Sequence, residues 1–264
     1  MAVEAIPMWQ LQIATAFGLL GIWFGWRGGM RRMGGFYDTG PAMKLMMGGF
    51  FLGALIGYFQ ATFLIYPFLV DFGLSLAAFG VAIVLGFAVS LASMLGVTRQ
   101  FVRSVRGQPT AGWAMGLGFG AMEVTRFGYV IFSLPEGYGL VNGFGVPSLL
   151  VLALLGLFLP WTEALICTWQ GWNALNGYRF KPALQAAFAR ALLYCALVYG
   201  LYFTPMLFIL PAIVIGLQRK ADSEWLPSGL TPALKQEWNR IQRTHSRRKA
   251  AAVRHRRSPA SEEE

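Results

Sequence analysis

The chain has 264 residues and 29.1 kDa, with 56% hydrophobic residues, 13% charged residues, a mean hydropathy of +0.51 and a formal net charge of +10. Charged residues make up about a quarter of an ordinary soluble domain, and 21 Phe with 9 Trp exclude intrinsic disorder, which is poor in aromatic residues. What remains is an all-α polytopic membrane protein, for which the question about the positive charge is which side of the bilayer holds it.

A hydrocarbon core of about 30 Å takes roughly 20 apolar residues as helix. The first such stretch runs from Met8 to about Trp26 and stops at Arg27, Arg31 and Arg32. Glu4 precedes it and no basic residue does, so it reads as a retained span rather than a cleaved signal. Glycine-rich residues Gly28 to Gly40 follow as a basic connector. Leu45 to Val70 and Gly73 to Val97 form the next two spans, joined by a tight turn at Asp71. Ala111 to Leu134 is the fourth, closed by Pro135-Glu136-Gly137. The fifth, Val146 to about Asn176, carries Pro160 and is expected to kink, tilt or break there. Ala183 to Leu217 is too long for one upright helix, so it should turn between Gly200 and Pro205 into a sixth and a short seventh span, with a re-entrant hairpin as the alternative.

With seven spans and the N-terminus outside, 20 of the 22 Lys and Arg fall on the cytoplasmic side, while Glu4, Asp71 and Glu136 fall on the other. A six-span arrangement would put the basic C-terminus on the wrong side. Continuous rather than alternating apolar runs disfavour a β-barrel. The chain is expected in a prokaryotic cytoplasmic membrane, divided into a helical domain 1–217 and a cytoplasmic tail 218–264.

Four charges remain inside the spans: Glu123 and Arg126 in the fourth, Glu163 in the fifth and Arg190 in the sixth. Each would cost about 2.5–3.5 kcal/mol at a helix centre if unpaired. Two acids against two bases therefore suggest one internal network. Gly112, Gly116 and Gly120 lie on the same helical face as Glu123, so this face should meet another helix closely. An i,i+3 ion pair between Glu123 and Arg126 is the simplest structural reading. Glu163, Cys167, Gln170 and Asn173 share one face of the fifth span, below Pro160. Gln60 is a further candidate for this zone. Arg190 lies nine residues from Lys181 and is placed to snorkel towards the cytoplasmic interface. Cys167 and Cys195, with no CxxC spacing, read as packing residues.

The segments GLGFGAMEVTRFGYV, residues 116–130, and PWTEALICTWQGWNALNGYRF, residues 160–180, resemble the PrsW/YhfC-type intramembrane protease-like superfamily. That family pairs a glutamate on a glycine-rich span with a later span carrying Glu and then His. The resemblance implies that Glu123 and Glu163 would be the active-site acids of an intramembrane hydrolase. Gln170 stands where the pattern has its histidine, and His245 and His255 lie in the tail, so the resemblance points to a non-catalytic descendant. No phosphate-binding loop, H-E-x-x-H or nucleophile elbow is present, and neither metal nor cofactor is implied.

In the tail, Thr231-Pro232 reads as a helix start, and a basic amphipathic helix is expected over about 231–252. Leu234, Trp238, Ile241 and His245 follow one narrow apolar stripe, with Arg240, Arg243 and Arg247 roughly opposite. Anionic lipid head groups are the expected contact; a protein partner is the alternative, and nucleic acid is disfavoured. SPASEEE should be a disordered acidic end. Two functions follow from the residues. The first is a non-enzymatic membrane protein whose network of Glu123, Arg126, Glu163, Gln170, Asn173 and Arg190 serves small-solute or ion passage, or assembly with other membrane subunits. The second is the intramembrane hydrolase.

Overall fold

The structure, a computed structural model, describes residues 6–71, 75–134 and 141–257, with side chains over 6–69, 75–134 and 141–244. The turn at Pro135–Gly137, Glu4, Glu136 and the acidic end lie outside the described residues, as do the side chains of Asp71, His245 and Arg247. Among the described residues the fold is entirely helical. By packing, the chain divides into Met1–Gly229 and Leu230–Glu264, so residues 218–229, grouped with the tail on sequence, belong to the bundle.

Helix α1 spans Met8–Gly28. After a 3-10 turn at Met30–Met33, α2 covers Thr39–Gln60; its start lies upstream of the expected Leu45 because the Asp38 carboxylate caps the Gly40 amide at 2.9 Å. A single π-type turn, Ala61–Ile65, carries α2 into α3, Tyr66–Asp71. Ser75 caps α4, Leu76–Val97, by accepting from the Ala78 amide. A short α5, Gln100–Arg103, leads to α6, Gln108–Ser133, which has Pro109 in its first turn. Helix α7 is Val146–Leu175 and α8 is Phe180–Gly200. A 3-10 turn at Thr204–Phe208 precedes α9, Ile209–Lys220, so the chain does turn between Gly200 and Pro205. Alone, α9 rises about 18 Å, less than a hydrocarbon core of about 30 Å. The last helix of this unit's chain is followed by the separate α10, Pro232–Arg257, which runs beyond the expected end.

Four helical stretches are long and apolar enough to cross a membrane: Thr39–Leu69, Leu76–Val97, Val146–Leu175 and Phe180–Gly200. Their outer faces are apolar, with Phe51 76% and Val84 67% exposed, whereas Glu123, Glu163 and Arg190 are 0% exposed. That distribution is the inverse of a water-soluble surface.

Helix α6 is the hub. Its glycines let α7 approach until backbones touch: a Cβ at Gly112 would stand 2.5 Å from the Cys167 carbonyl oxygen, and one at Gly120 2.5 Å from Pro160 Cα. Helix α2 meets α6 the same way through Gly53, and α1 through Gly18. Pro160 does not break α7. It takes the amide donor away from Gly156, whose carbonyl faces Gly21 of α1 instead. Helix α8 packs chiefly on α4, where Gly86 leaves room for the Ala187 carbonyl. The bundle thus has two glycine-packed groups, α1/α2/α6/α7 and α4/α8, with sparser contact between them.

Loop contacts gather at two ends. At one, Arg32 bonds Asp222, Gly229 lies against the Arg106 carbonyl and Trp172 faces Trp225. At the other, Trp9 packs edge-on against Phe144, and the Tyr202 hydroxyl reaches the Leu69 carbonyl at 3.4 Å. Gly120→Ala is expected to force α6 from α7 and to destabilise by about 1–3 kcal/mol. Gly80→Ala, with open space around it, is expected to stabilise by up to about 1 kcal/mol. Unfolding in mild detergent measures both.

Candidate functional site

The seam between the two helix groups is polar. Arg190 sits at the middle of α8, and its side chain is completely buried, so it does not snorkel to the interface as its distance from Lys181 suggested. A guanidinium carries five N–H donors. Arg190 Nε donates to Glu163 Oε2 at 2.9 Å, and Nη2 pairs with the same oxygen at 2.9 Å. The remaining donors meet Ser90 Oγ at 2.7 Å, Gln170 Oε1 at 3.2 Å and Cys167 Sγ at 3.0 Å. One side chain from α8 is therefore tied to three on α7 and one on α4.

Gln170 is the second junction. Its amide donates to the Ser90 carbonyl at 3.0 Å, and its carbonyl oxygen also takes the Ser93 hydroxyl at 2.7 Å. The position at which the resembled family has histidine is thus held by an amide with fixed donors and acceptors. Cys167 is a member of the cluster rather than mere packing.

Glu123 faces the same interior but binds elsewhere. Its Oε1 accepts from Gln60 Nε2 of α2 at 2.8 Å, and its Oε2 has no hydrogen-bond partner among the described residues. The expected ion pair with Arg126 is not formed. Arg126 lies half-buried with its guanidinium 4.9 Å from the Tyr129 ring centre, and its aliphatic stem fills the space above Gly57. Asn173 also stays out, donating at 2.9 Å to the Trp169 carbonyl of its own helix. Tyr194 lies within electrostatic reach of Glu123, Glu163, Arg190 and Cys167.

Three polar atoms in this space lack a hydrogen-bond partner among the described residues: Glu123 Oε2, Glu163 Oε1 and the Tyr194 hydroxyl. Each belongs to a residue at most 1% exposed. Ser90, Ser93 and Tyr194 escaped the sequence reading. Ser90 and Ser93, three apart on the most apolar helix, and Tyr194, one turn beyond Arg190, were the available signals. Among the described residues no group of three His, Cys, Asp or Glu side chains converges as metal ligands.

In the tail unit, α10 carries nine Lys and Arg against one acid. Arg240 and Arg243 are exposed, Leu234 is 40% exposed, and Trp238 is half-buried. Comparison with known proteins found no matching family model, no matching curated protein and no matching solved structure.

Replacing Glu163 by Leu leaves Arg190 charged and without its carboxylate partner, so we expect a loss of about 3–5 kcal/mol. The double variant Glu163→Leu, Arg190→Met is expected to recover most of it. A double-mutant cycle by denaturant unfolding measures the coupling.

Proposed function

We propose that this chain is a multi-pass membrane protein that moves a small solute or ion across a cytoplasmic membrane by shifting the α4/α8 pair against the α1/α2/α6/α7 block. The observation that carries this reading is where the charges lie. Within each group the helices meet through glycine and backbone, a packing that leaves little freedom. Between the groups they meet through Arg190, Glu163, Gln170, Ser90 and Ser93, side chains that can exchange partners. Intramembrane ionisable residues are costly, and pathways are a main reason to keep them.

Seven spans with the N-terminus outside fit the loop contacts, since Arg32 with Asp222 and Gly229 with Arg106 join segments that this topology assigns to one side. The same side holds the basic residues. Assembly with other membrane subunits is the weaker use of the network, because its members are buried and not offered to a partner. The hydrolase reading ranks second as well: Glu123 and Glu163 do share one interior, but Gln170 is engaged on both sides of its amide and supplies neither a base nor an imidazole ligand.

Spin labels test the motion in nanodiscs. A pair on exposed Leu20 of α1 and Leu91 of α4 is expected to give two distance populations whose ratio changes with an imposed pH or salt step, while a pair on Leu20 and Met47 of α2 gives one. A single unchanging distance for both pairs sinks the proposal.

The tail adds a membrane contact in this reading. Juxtamembrane basic residues contribute about 1 kcal/mol each near an anionic surface. An environment-sensitive fluorophore at Leu234→Cys should shift to the blue in discs containing phosphatidylglycerol and revert at high salt. Equal spectra in neutral and anionic discs would count against lipid as the partner of α10.

A further inference from the structure

We infer that the ion bound at this seam is a proton, carried by Glu123, with the Tyr194 hydroxyl placed to relay it to and from Glu163. The inference rests on the passage reading above and names its ion.

The first argument is a count of charge. Two carboxylates and one guanidinium share an interior without solvent exposure. If both acids are ionised, one positive charge is missing, and an uncompensated buried charge is not tolerated. The second argument decides which acid supplies the compensation. Arg190 spends Nε and Nη2 on Glu163 Oε2, and its Nη1 on Ser90 and Gln170, so Glu163 is held as the anion. Nothing of that guanidinium is left for Glu123. Glu123 receives one neutral N–H, from Gln60, and its other oxygen is bare. A proton on Oε2 makes the group neutral and supplies the missing charge.

The surroundings agree from every side. On α6 itself the nearest charge, Arg126, is turned to Tyr129. Helix α2 contributes the Gln60 amide, and α4 contributes only the Ser90 and Ser93 hydroxyls. Helix α7 presents Glu163 and Cys167, and α8 presents Arg190 and Tyr194. A metal cation fits poorly: hard cations need about six oxygen ligands, and no three acidic or metal-ligating side chains converge among the described residues.

Glu163 Oε1, Glu123 Oε2 and the Tyr194 hydroxyl are unpartnered among the described residues. When α8 shifts and Arg190 leaves Glu163, the O–H bond of Glu123 breaks, Tyr194 accepts that proton as it gives its own, and a new O–H bond forms on Glu163. The pair of acids keeps one proton throughout. When Arg190 returns, Glu163 gives that proton up to water on one side of the membrane as Glu123 takes one from water on the other, so the pair again holds one.

Infrared difference spectroscopy and flux test this together, on the full chain. The wild type should show a carboxylic-acid C=O band that Glu123→Gln removes. Purified protein in liposomes with an interior pH dye, driven by a valinomycin potassium potential, should take up protons. Glu123→Gln should lower that uptake about ten-fold or more, and Tyr194→Phe should slow it while leaving the band in place. Because Gln keeps the bond to Gln60 and mimics the protonated acid, its thermal unfolding should match the wild type. Absence of a band that Glu123→Gln removes would overturn the inference, whatever the spin labels report. Sodium uptake in place of proton uptake would overturn it too and leave the moving seam standing. A band with motionless spin labels would sustain the protonated Glu123 and remove only the passage reading.

Discussion

A guanidinium buried away from water must find an acceptor for each of its five N–H groups, because every donor left over costs as much as a lost hydrogen bond. Arg190 meets that demand with one carboxylate, one hydroxyl, one amide and one thiol, drawn from α4 and α7. The constraint reaches far. It sets the height of α8 against α7, brings Ser90 of α4 inward, and fixes the orientation of the Gln170 amide, whose other face then reaches the backbone of α4. Displacing any one of these helices by a turn, about 5.4 Å, would leave several donors unmet at once.

Two kinds of contact divide the bundle between them. Where backbones touch through Gly18, Gly53, Gly112 and Gly120, the fit allows almost no alternative arrangement. Where α4 and α8 meet α7, the contact runs through polar side chains rather than through backbone. Both kinds of contact therefore come from residue type. Pro160 belongs to the stiff part in spite of its reputation, since the carbonyl it releases is covered by α1 at Gly21. The π-type turn at Ala61–Ile65 lies just beyond Gln60, the residue that binds Glu123.

The helices were legible because their causes are local. Apolar runs of span length, Asp38 and Ser75 as caps, and Gly200 to Pro205 as a turn can each be read within a few residues of sequence. Glu123 and Glu163 were legible as charges with no reason to sit among apolar neighbours. Their partners were not. The spacing of Glu123 and Arg126 suggested a pair, but a longitudinal spacing says nothing of which way a long side chain leans, and Arg126 leans to Tyr129. Arg190 looked able to escape to the interface because the distance to Lys181 is visible in sequence, whereas the attraction of Glu163, 27 positions upstream, is a tertiary fact. Ser90, Ser93 and Tyr194 are common in apolar helices and acquire meaning only from what faces them.

In the multi-pass reading, the separation of Glu163 and Arg190 along the chain bears on how the protein is made. During synthesis α7 emerges with Glu163 before any part of α8 exists, and a lone carboxylate at a helix centre opposes entry into lipid by about 2.5–3.5 kcal/mol. Helix α8 carries the same penalty in Arg190. The short link between them, from Leu175 to Phe180, makes it natural for the two to enter as one hairpin with the charges already joined. In that reading one ion pair lets two charged helices enter lipid together.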